Sequence, residues 1–223
     1  MGRSAFDPDL FRELLAGPAG DEARPVLAFE TVDSTSTELA RRLRGGAPAG
    51  TVVVAGSQTA GRGRIGRPWC SPPGGNLYLP VAVTVPPPEA DHLTAVPLAA
   101  GVAAADALVA AGLAEISLKW PNDLLAEGRK IGGVLCESTD PRARPLLVAV
   151  GIGANLSPAP LDPVLARGAA TVPEVIGSAL PAEPVAAAFV SGLERRLAGL
   201  VGHGRAGLVA DWKVRAEPFG RRV

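Results

Sequence analysis

Residues Gly61 to Tyr78 read Gly-Arg-Gly-Arg-Ile-Gly-Arg-Pro-Trp-Cys-Ser-Pro-Pro-Gly-Gly-Asn-Leu-Tyr. Three arginines in this stretch, Arg62, Arg64 and Arg67, alternate with glycines that let a backbone approach a ligand closely. Guanidinium groups suit the oxygens of a carboxylate or a phosphate. The apolar run Thr51 to Ala55 precedes the stretch and is typical of a buried strand that carries a loop to the edge of a sheet. The sequence therefore predicts an anion-binding loop on a rigid sheet.

The glycine spacing of this loop also fits another kind of site. Residues Gly61 to Gly66 satisfy G-x-G-x-x-G, the spacing of a dinucleotide-binding turn. That turn needs a helix directly after the glycines, whereas Pro68, Pro72 and Pro73 follow here and would break one. No Gly-Lys-Ser or Gly-Lys-Thr follows either, which argues against a P-loop. From these residues alone, a surface loop without a ligand, or one that touches RNA, remains an alternative.

Composition limits the classes of function. A chain of 223 residues with 47% hydrophobic content can bury a substantial core and predicts one domain of catalytic size. Its 22 Lys plus Arg balance 22 Asp plus Glu, so no basic surface for nucleic acid is indicated. Cys70 and Cys136 lack paired spacing, which argues for a reducing compartment and against a disulfide framework or zinc site. The isolated His92 and His203 argue against a histidine-based triad or metal centre.

Two further stretches bear on localisation. The segment Met1 to Leu15 holds three acidic residues and lacks the apolar core of a secretory signal. The alanine-rich stretch Ala95 to Leu113 includes Asp106, which favours a core helix over a membrane span. We therefore expect a cytoplasmic protein without a membrane association.

Periodicity and turn residues predict alternating strands and helices. Thr35 and Glu38 have capping-box spacing at the start of one helix, and Gly45 follows its end. Strands are predicted at residues 26–32, 51–55, 76–85, 116–120, 130–136 and 146–155, and helices at residues 8–15, 33–45, 94–112, 183–200 and 204–216.

Lys119 and Lys130 are candidates for contact with a ligand. A turn at residues 127–129 predicts a hairpin that places the two lysines on paired strands. A lysine at a strand end is usually just solvated, but Gly132 and Gly133 directly follow Lys130. Because glycine weakens a strand unless something approaches its backbone closely, we infer a ligand that lies across this hairpin.

The motifs together resemble those of biotin–protein ligases. That family carries a biotin-binding loop Gly-Arg-Gly-Arg-x-Gly-Arg-x-Trp, followed by Ser-Pro-x-Gly and Leu-Tyr, and residues 61–78 match every one of those positions. Lys119 to Asp123 is similar to the family's Lys-Trp-Pro-Asn-Asp block, and Lys130 to Leu135 is similar to its Lys-Ile-Gly-Gly-Ile-Leu block. Val150 to Asn155 is similar to its Gly-Ile-Gly-x-Asn strand end. The motifs stand in the family's order, and the resemblance covers residues 32–212.

The resemblance implies an α/β fold with a mixed, largely antiparallel sheet flanked by helices, as in biotin ligases, lipoate ligases and class II aminoacyl-tRNA synthetases. It implies an ATP-dependent ligase that converts biotin to biotinyl-5′-adenylate and passes biotin to a lysine of a biotin carboxyl carrier domain. ATP and Mg²⁺ are the implied cofactors, and no direct protein ligand to the metal is predicted. A ligase for lipoate or another acyl group and a nucleic-acid-binding module are the alternatives.

The same resemblance implies the roles of individual residues. Lys130, Lys119 and Arg64 are the expected catalytic residues. The expected biotin contacts are Ser34, Thr35, Ser36, Gln58, Gly61, Arg62, Gly63, Arg64, Lys130, Gly133 and Leu135. The expected ATP or adenylate contacts are Arg64, Arg67, Trp69, Lys119, Asn122, Asp123 and Asn155. Two positions depart from the family pattern, because Ser36 replaces an Asn and Val172 replaces a Ser.

Three parts of the chain are expected. Residues 1–24 form an N-terminal helix and connector, residues 25–216 the catalytic domain, and residues 217–223 the start of a C-terminal SH3-like barrel that is otherwise missing. The N-terminal part leaves no room for the DNA-binding winged helix-turn-helix that some members of the family carry. We therefore expect no specific DNA binding, and a monomer or weak homodimer.

Overall fold

The computed structural model describes residues 6–16, 24–87, 92–138, 146–161 and 168–217. Within these residues the helices are α1 (Pro8–Ala16), α2 (Thr35–Arg44), α3 (Val96–Ala110), α4 (Val172–Ile176) and α5 (Ala182–Arg215). Two short 3-10 helices cover Arg64–Gly66 and Leu93–Ala95. The strands are β1 (Val26–Val32), β2 (Val52–Gln58), β3 (Leu77–Thr84), β4 (Ser117–Lys119), β5 (Asp123–Ala126), β6 (Arg129–Ser138) and β7 (Leu147–Ala154).

The strands form one seven-stranded sheet in the order β1-β2-β3-β7-β6-β5-β4. β1 and β2 are parallel and are connected through α2, while every other neighbouring pair is antiparallel. The central pair β3 and β7 runs in register from Leu77 opposite Ala154 to Thr84 opposite Leu147. The predicted mixed, largely antiparallel sheet flanked by helices is confirmed.

The two faces of the sheet are covered differently. Because successive residues of a strand point to opposite faces, Val148, Val150 and Ile152 of β7 enter the large core shared with α1, α3 and α5. Ala149 points the other way, into a smaller core beneath α2. The next two positions on that second face, Gly151 and Gly153, carry no side chain. The sheet is therefore open on this face beyond the end of α2.

Helix α3 is an element of the core. Ten of its 15 residues are buried, and it packs against α5 and the sheet. Residues Leu93–Ala110 are long and apolar enough to cross a membrane by length and composition alone, but 61% of that window is buried inside the protein. The core of a globular domain accounts for such a sequence, and the predicted core helix is confirmed.

Helix α5 contains both of the helices predicted near the end of the chain. Gly204 separates them with a left-handed φ of 61°, so α5 consists of two helical segments joined at a kink. Asp106 of α3 accepts hydrogen bonds from Arg196 on the first segment and, at 2.8 Å, from Arg215 on the second. These two contacts fix both segments of α5 against α3.

The predicted pairing of the two lysine-bearing strands is wrong. Residues Asp123–Ala126 form β5, which lies between the strands that hold Lys119 and Lys130. The sequence did not indicate the short strand β5, because Pro121 to Asp123 are typical turn residues and only three residues follow them before the next turn. Lys119 and Lys130 are consequently two strands apart.

The predicted cap of α2 is also wrong by one residue. Ser34, not Thr35, is the N-cap, and its hydroxyl accepts the backbone N–H of Thr37 at 3.5 Å. A capping box does occur at the start of α4, where the Glu174 carboxylate accepts the backbone N–H of Thr171 at 2.6 Å. The sequence carries that spacing as Thr-Val-Pro-Glu at residues 171–174.

Residues 1–5, 17–23 and 218–223 lie outside the described part of the chain. The predicted N-terminal connector and the start of a barrel fall largely on those residues, so the domain boundaries stay a prediction. Where the described chain ends, Glu217 donates its backbone N–H to Leu118 of β4 at 3.0 Å.

Candidate active site

A cleft of about 540 Å³ lies on the open face of the sheet. It brings together residues that are far apart in sequence, including 15 of the predicted site residues. Those residues are Thr35, Ser36, Gln58, Arg62, Gly63, Arg64, Arg67, Trp69, Lys119, Asn122, Asp123, Lys130, Gly133, Leu135 and Asn155. Two predicted residues do not line the cleft, because Ser34 is buried as the cap of α2 and Gly61 is buried at the base of the loop.

The floor of the cleft is backbone. Gly133 of β6 lies opposite Gly153 of β7, and both line the cleft together with Gly151. A Cβ atom at residue 133 would lie 3.1 Å from the Asn122 carbonyl, and one at residue 153 would lie 2.9 Å from the indole of Trp69. These glycines are required because a turn and an aromatic ring pack directly onto the strands.

Residues 61–69, which we call the arginine loop, form the wall above this floor. Arg62 and Pro68 make an antiparallel bridge, and Gly63 donates its N–H to the Arg67 carbonyl at 2.7 Å. At the base, a Cβ on Gly61 would lie 2.4 Å from the Trp69 carbonyl, so only glycine fits. At the tip, Ile65 adopts a left-handed φ of 58°, which β-branched residues rarely do. The loop is thus closed by its own backbone.

The three arginines of the loop differ in their contacts. The Arg62 guanidinium donates to the carboxylate of Glu137 on β6 and, at 3.3 Å, to the hydroxyl of Thr37 on α2. The guanidinium groups of Arg64 and Arg67 make no hydrogen bond or ion pair with the described residues, and both side chains are exposed at the cleft. Arg64 and Arg67 are therefore the arginines available to an anionic ligand.

Lys130 is held at the centre of the cleft. Its ammonium lies 2.6 Å from a carboxylate oxygen of Asp123 and 5.3 Å from the ring centroid of Trp69. Its backbone is fixed as well, because it donates to Gly168 at 3.2 Å and accepts from Ala170 at 2.8 Å. Such a fixed cation with a single carboxylate partner can also approach a ligand anion.

The turn that follows β4 is attached to β6. Asn122 accepts the backbone N–H of Val134 at 2.9 Å, and its side-chain amide donates back to the Val134 carbonyl at 3.2 Å. Trp120, in a cis peptide with Pro121, is 61% exposed and meets Trp212 of α5 edge to face at 5.8 Å. The turn therefore places Lys119, Asn122 and Asp123 along one side of the cleft.

Asn155 lies at the end of β7, beneath Lys130. Its backbone N–H donates to Ile131 at 2.8 Å, and its side-chain amide donates to the Ala170 carbonyl at 2.9 Å. Its side-chain oxygen is buried and has no partner in the described part of the chain. A buried acceptor without a partner is costly, so a ligand or cation that fills this role would be stabilised there.

At the opposite end of the cleft, the polar side chain of Gln58 is already hydrogen-bonded to other residues of the protein. The Gln58 side-chain oxygen accepts from the backbone N–H of Thr35 at 2.8 Å, and its amide donates to Ser71 at 2.6 Å. Ser36, the residue that departs from the family pattern, lines the cleft close to Gly151. Gln58 thus fixes the entry of α2 relative to the loop, and Ser36 is left facing the open space.

Tyr78 anchors the segment that follows the arginine loop. Its hydroxyl donates to the Pro72 carbonyl at 3.0 Å and accepts from the Asn76 amide at 3.1 Å. Burial is the main cause that raises the pKa of the Tyr78 hydroxyl well above its ordinary value. The phenol is therefore neutral at physiological pH and acts as a structural support.

Sequence reasoning missed three residues that hold the site together: Glu137, Thr37 and Ser71. Each contacts a predicted site residue through its side chain. Glu137 and Thr37 lie outside the matched motifs, whereas Ser71 belongs to the Ser-Pro-x-Gly motif, which was a signal that could have identified it. Among the described residues, no group of three or more His, Cys, Asp or Glu side chains is arranged to hold a metal ion.

The sequence is similar to a known protein family and to individual members of it. Residues 28–155 match the profile of the biotin/lipoate A/B protein ligase family. The biotin–[acetyl-CoA-carboxylase] ligase of Mycobacterium tuberculosis is 35% identical over 228 aligned positions, which cover 99% of this chain and 81% of that protein.

Two solved structures have the same fold. The biotin protein ligase of Aquifex aeolicus in complex with biotin and ATP superposes with a TM-score of 0.74 and 28% identity, over 86% of this chain and 78% of that one. The Leishmania major enzyme in complex with biotinyl-5-AMP gives a TM-score of 0.71 and 27% identity, over 89% and 85% of the two chains. The chain therefore belongs to the biotin/lipoate A/B protein ligase family, and within that family to the biotin–protein ligases.

Proposed function

We propose that this protein activates biotin with ATP and transfers the biotinyl group to a lysine of a biotin carboxyl carrier domain. The observation that carries the proposal is the convergence on one cleft of two free arginines, the fixed cation of Lys130 and a glycine floor. The relatives support the choice of substrate, since solved members with the same fold hold biotin, ATP or biotinyl-5-AMP.

The reaction has two steps. In the first, an oxygen of the biotin carboxylate attacks the α-phosphorus of ATP, forming biotinyl-5′-adenylate as pyrophosphate leaves. In the second, the amine of the acceptor lysine attacks the acyl carbon, AMP leaves with the bonding electrons, and the amine loses a proton. Neither step needs a protein nucleophile, so the site must supply charge neutralisation, orientation and exclusion of water.

Lys130 is the residue that we propose for the chemical step. Its ammonium is held in place by the ion pair with Asp123, and the cleft beside it is open to a carboxylate and an α-phosphate. Lys119 and Arg64 add positive charge along the phosphate chain. Positive groups that are fixed before the reaction stabilise the developing charge without reorganising.

The two halves of the ligand occupy different parts of the cleft in this proposal. Biotin lies over the glycine floor between Ser36, Gln58 and Leu135, where Gln58 is already hydrogen-bonded within the protein and Ser36 faces the open space. The adenylate lies towards Trp69 and Asn122, with the exposed Arg67 at the phosphate side. The indole offers a flat surface on which a base can stack.

The residues present fit a Mg²⁺ ion that arrives with ATP. Asp123 and Asn155 line the cleft, and the side-chain oxygen of Asn155 is the buried acceptor without a partner among the described residues. Oxygen ligands of this kind, completed by phosphate oxygens and water, suit Mg²⁺. When bound, the ion would neutralise charge on the phosphate chain.

The remaining assignments are part of the same proposal. The partner is the carrier domain of a biotin-dependent carboxylase, the compartment is the cytoplasm, and the protein acts as a monomer or weak homodimer. Specific DNA binding is not expected from a chain with 22 basic and 22 acidic residues. Lipoate is the competing substrate, because the family includes lipoate ligases.

The test is exchange of labelled pyrophosphate into ATP, measured with biotin, with lipoate and with neither. We expect exchange that depends on biotin and falls strongly in the Lys130→Ala variant. Exchange that depends on lipoate instead would replace the substrate, and no exchange by folded protein with either acid would overturn the proposal. Transfer of labelled biotin to an isolated carrier domain tests the second step.

A further inference from the structure

The arginine loop is joined to the sheet by one ion pair. Arg62 lies at the start of the loop, in the bridge with Pro68, and its guanidinium reaches the carboxylate of Glu137 on β6. A second hydrogen bond, 3.3 Å long, goes to the hydroxyl of Thr37 on α2. Among the described residues, this is the only ion pair that any residue of the loop makes. The loop is therefore attached to the body of the protein at two places, by the ion pair of Arg62 at its start and by the packing of Trp69 on Gly153 at its end.

Glu137 lies beside the cleft and outside it. Residues 133, 135 and 137 of β6 share a face of the sheet because side chains alternate along a strand. Gly133 and Leu135 line the cleft, whereas Glu137 is opposite Ala149, beneath α2. The carboxylate is thus one step further along β6 than the last residue that can touch the ligand.

The contacts of the three arginines indicate different roles for Arg62 and for the other two. Arg64 and Arg67 are free to meet an anionic ligand, whereas the charge of Arg62 is already neutralised by Glu137. Because two of its N–H donors already bond Glu137 and Thr37, Arg62 has fewer donors left for a second anion than Arg64 and Arg67 have. The positions of the three groups separate the role of holding the loop from the role of binding the phosphate.

We infer that Glu137 is a positioning residue that holds the arginine loop over the cleft through its ion pair with Arg62. This ion pair, which we call the latch, sets how long the reactive adenylate is retained. The inference rests on the function proposed above. The two side chains are 46% and 32% exposed, so water and salt screen the pair and the latch can open. A closed loop keeps the acyl-adenylate from water and stray amines, whereas an open loop lets it leave.

The prediction separates formation of the adenylate from its release. Glu137→Gln removes the charge but keeps the size of the side chain, and Glu137 touches neither substrate, so formation at saturating substrate should stay within about twofold of wild type. Release should be faster by about 1.4-fold to fivefold, the range expected for loss of a partly exposed ion pair. Salt should speed release from wild type and change it little in the variant.

The experiment follows labelled adenylate in a single turnover and then chases it with unlabelled biotin. Arg62→Gln should raise the release rate as Glu137→Gln does, and the double variant should be no faster than either single variant, because both remove the same contact. Glu194→Gln is the matched control. Glu194 forms an ion pair with Arg24 at 2.8 Å, which also joins distant segments of the chain but lies away from the cleft. The release rate of this variant should equal that of wild type.

The following outcomes would support or overturn the role proposed for Glu137 and Arg62. Unchanged release from both Glu137→Gln and Arg62→Gln, or effects that simply add in the double variant, would overturn the latch. If Glu137→Gln does not fold, Arg62→Gln still tests the pair, because Arg62 is on an exposed loop. If wild type makes no adenylate, the proposed function fails, while hydrogen exchange at residues 61–69 still tests the latch. Exchange there should then be faster in Glu137→Gln without any ligand, and equal exchange would refute it.

Discussion

Replacing Gly153 with alanine should disable the nucleotide side of the cleft without unfolding the protein. The added Cβ would lie 2.9 Å from Cε2, 3.0 Å from Nε1 and 3.1 Å from Cζ2 of Trp69. Carbon atoms in contact normally stay about 3.5–4.0 Å apart, so the indole must move by roughly 0.5–1 Å. Trp69 lies under the ammonium of Lys130, and the shift would disturb both groups.

The magnitude follows from the cost of overpacking. Insertion of a methyl group against a rigid ring costs about 1–3 kcal/mol. Trp69 is half-buried on a surface loop, so the folded protein can relieve the clash by releasing the indole from its place. The cost should then appear in ligand binding, as a loss of affinity for the adenylate of about fivefold to 150-fold. Thermal stability should change little.

The measurement is equilibrium binding of a non-hydrolysable adenylate analogue, with the melting temperature and pyrophosphate exchange recorded for the same samples. Gly151→Ala tests stability on the same strand, because its Cβ would meet atoms no closer than 3.6 Å. Gly199→Ala on α5 is the activity control, since nothing lies within 4 Å of its Cβ. Wild-type affinity in Gly153→Ala, with Trp69 fluorescence unchanged, would refute the argument that packing on Gly153 positions the indole.

Three further predictions concern other parts of the site. Lys130→Ala should lower the rate of adenylate formation, whereas Arg64→Gly should still form adenylate but release it faster. Formation and release are measured in separate assays, and equal behaviour of the two variants would contradict these roles. Ser36→Asn should tighten biotin binding by about 1 kcal/mol, one neutral hydrogen bond, as measured by calorimetry, and a large loss would mean that the pocket has repacked around serine. A hydrogen bond from Arg41 is the main cause that lowers the pKa of the Asp33 carboxyl next to α2. A lowered pKa in the folded state means that the stabilisation is complete above the ordinary carboxyl pKa of about 4 and is lost as the pH falls through the folded value. Asp33→Asn should therefore flatten the acid limb of a stability curve measured by denaturant unfolding, and an unchanged limb would count against it.

The sequence predicted the elements of the fold well because its signals were local. Short apolar runs such as Thr51 to Ala55 marked the strands, and the kink between the two segments of α5 was marked by Gly204. The four motifs also identified 12 residues that line one cleft, and Thr35, Ser36 and Gln58 outside the motifs line it too. Local patterns succeed where a residue's role depends on its neighbours in the chain.

What the sequence could not predict depended on distance along the chain. Arg62 and Glu137 are 75 residues apart, and nothing in either segment indicates that they pair. The same is true of β5, whose position between Lys119 and Lys130 depends on pairing and not on composition. The sequence predicted a ligand contact for all three arginines of the loop, whereas in the fold the Arg62 guanidinium is paired with Glu137.

The glycine floor has a consequence for anyone who wishes to change the substrate of this enzyme. Residues 133 and 153 are poor targets for saturation libraries, because side chains at these positions must displace Asn122 or Trp69 from the space above the strands. Gly151 differs, since a methyl group there fits the protein and would instead occupy volume in the cleft. Libraries that combine this position with Ser36 and Leu135 would reshape the cavity while the strands beneath it keep their register.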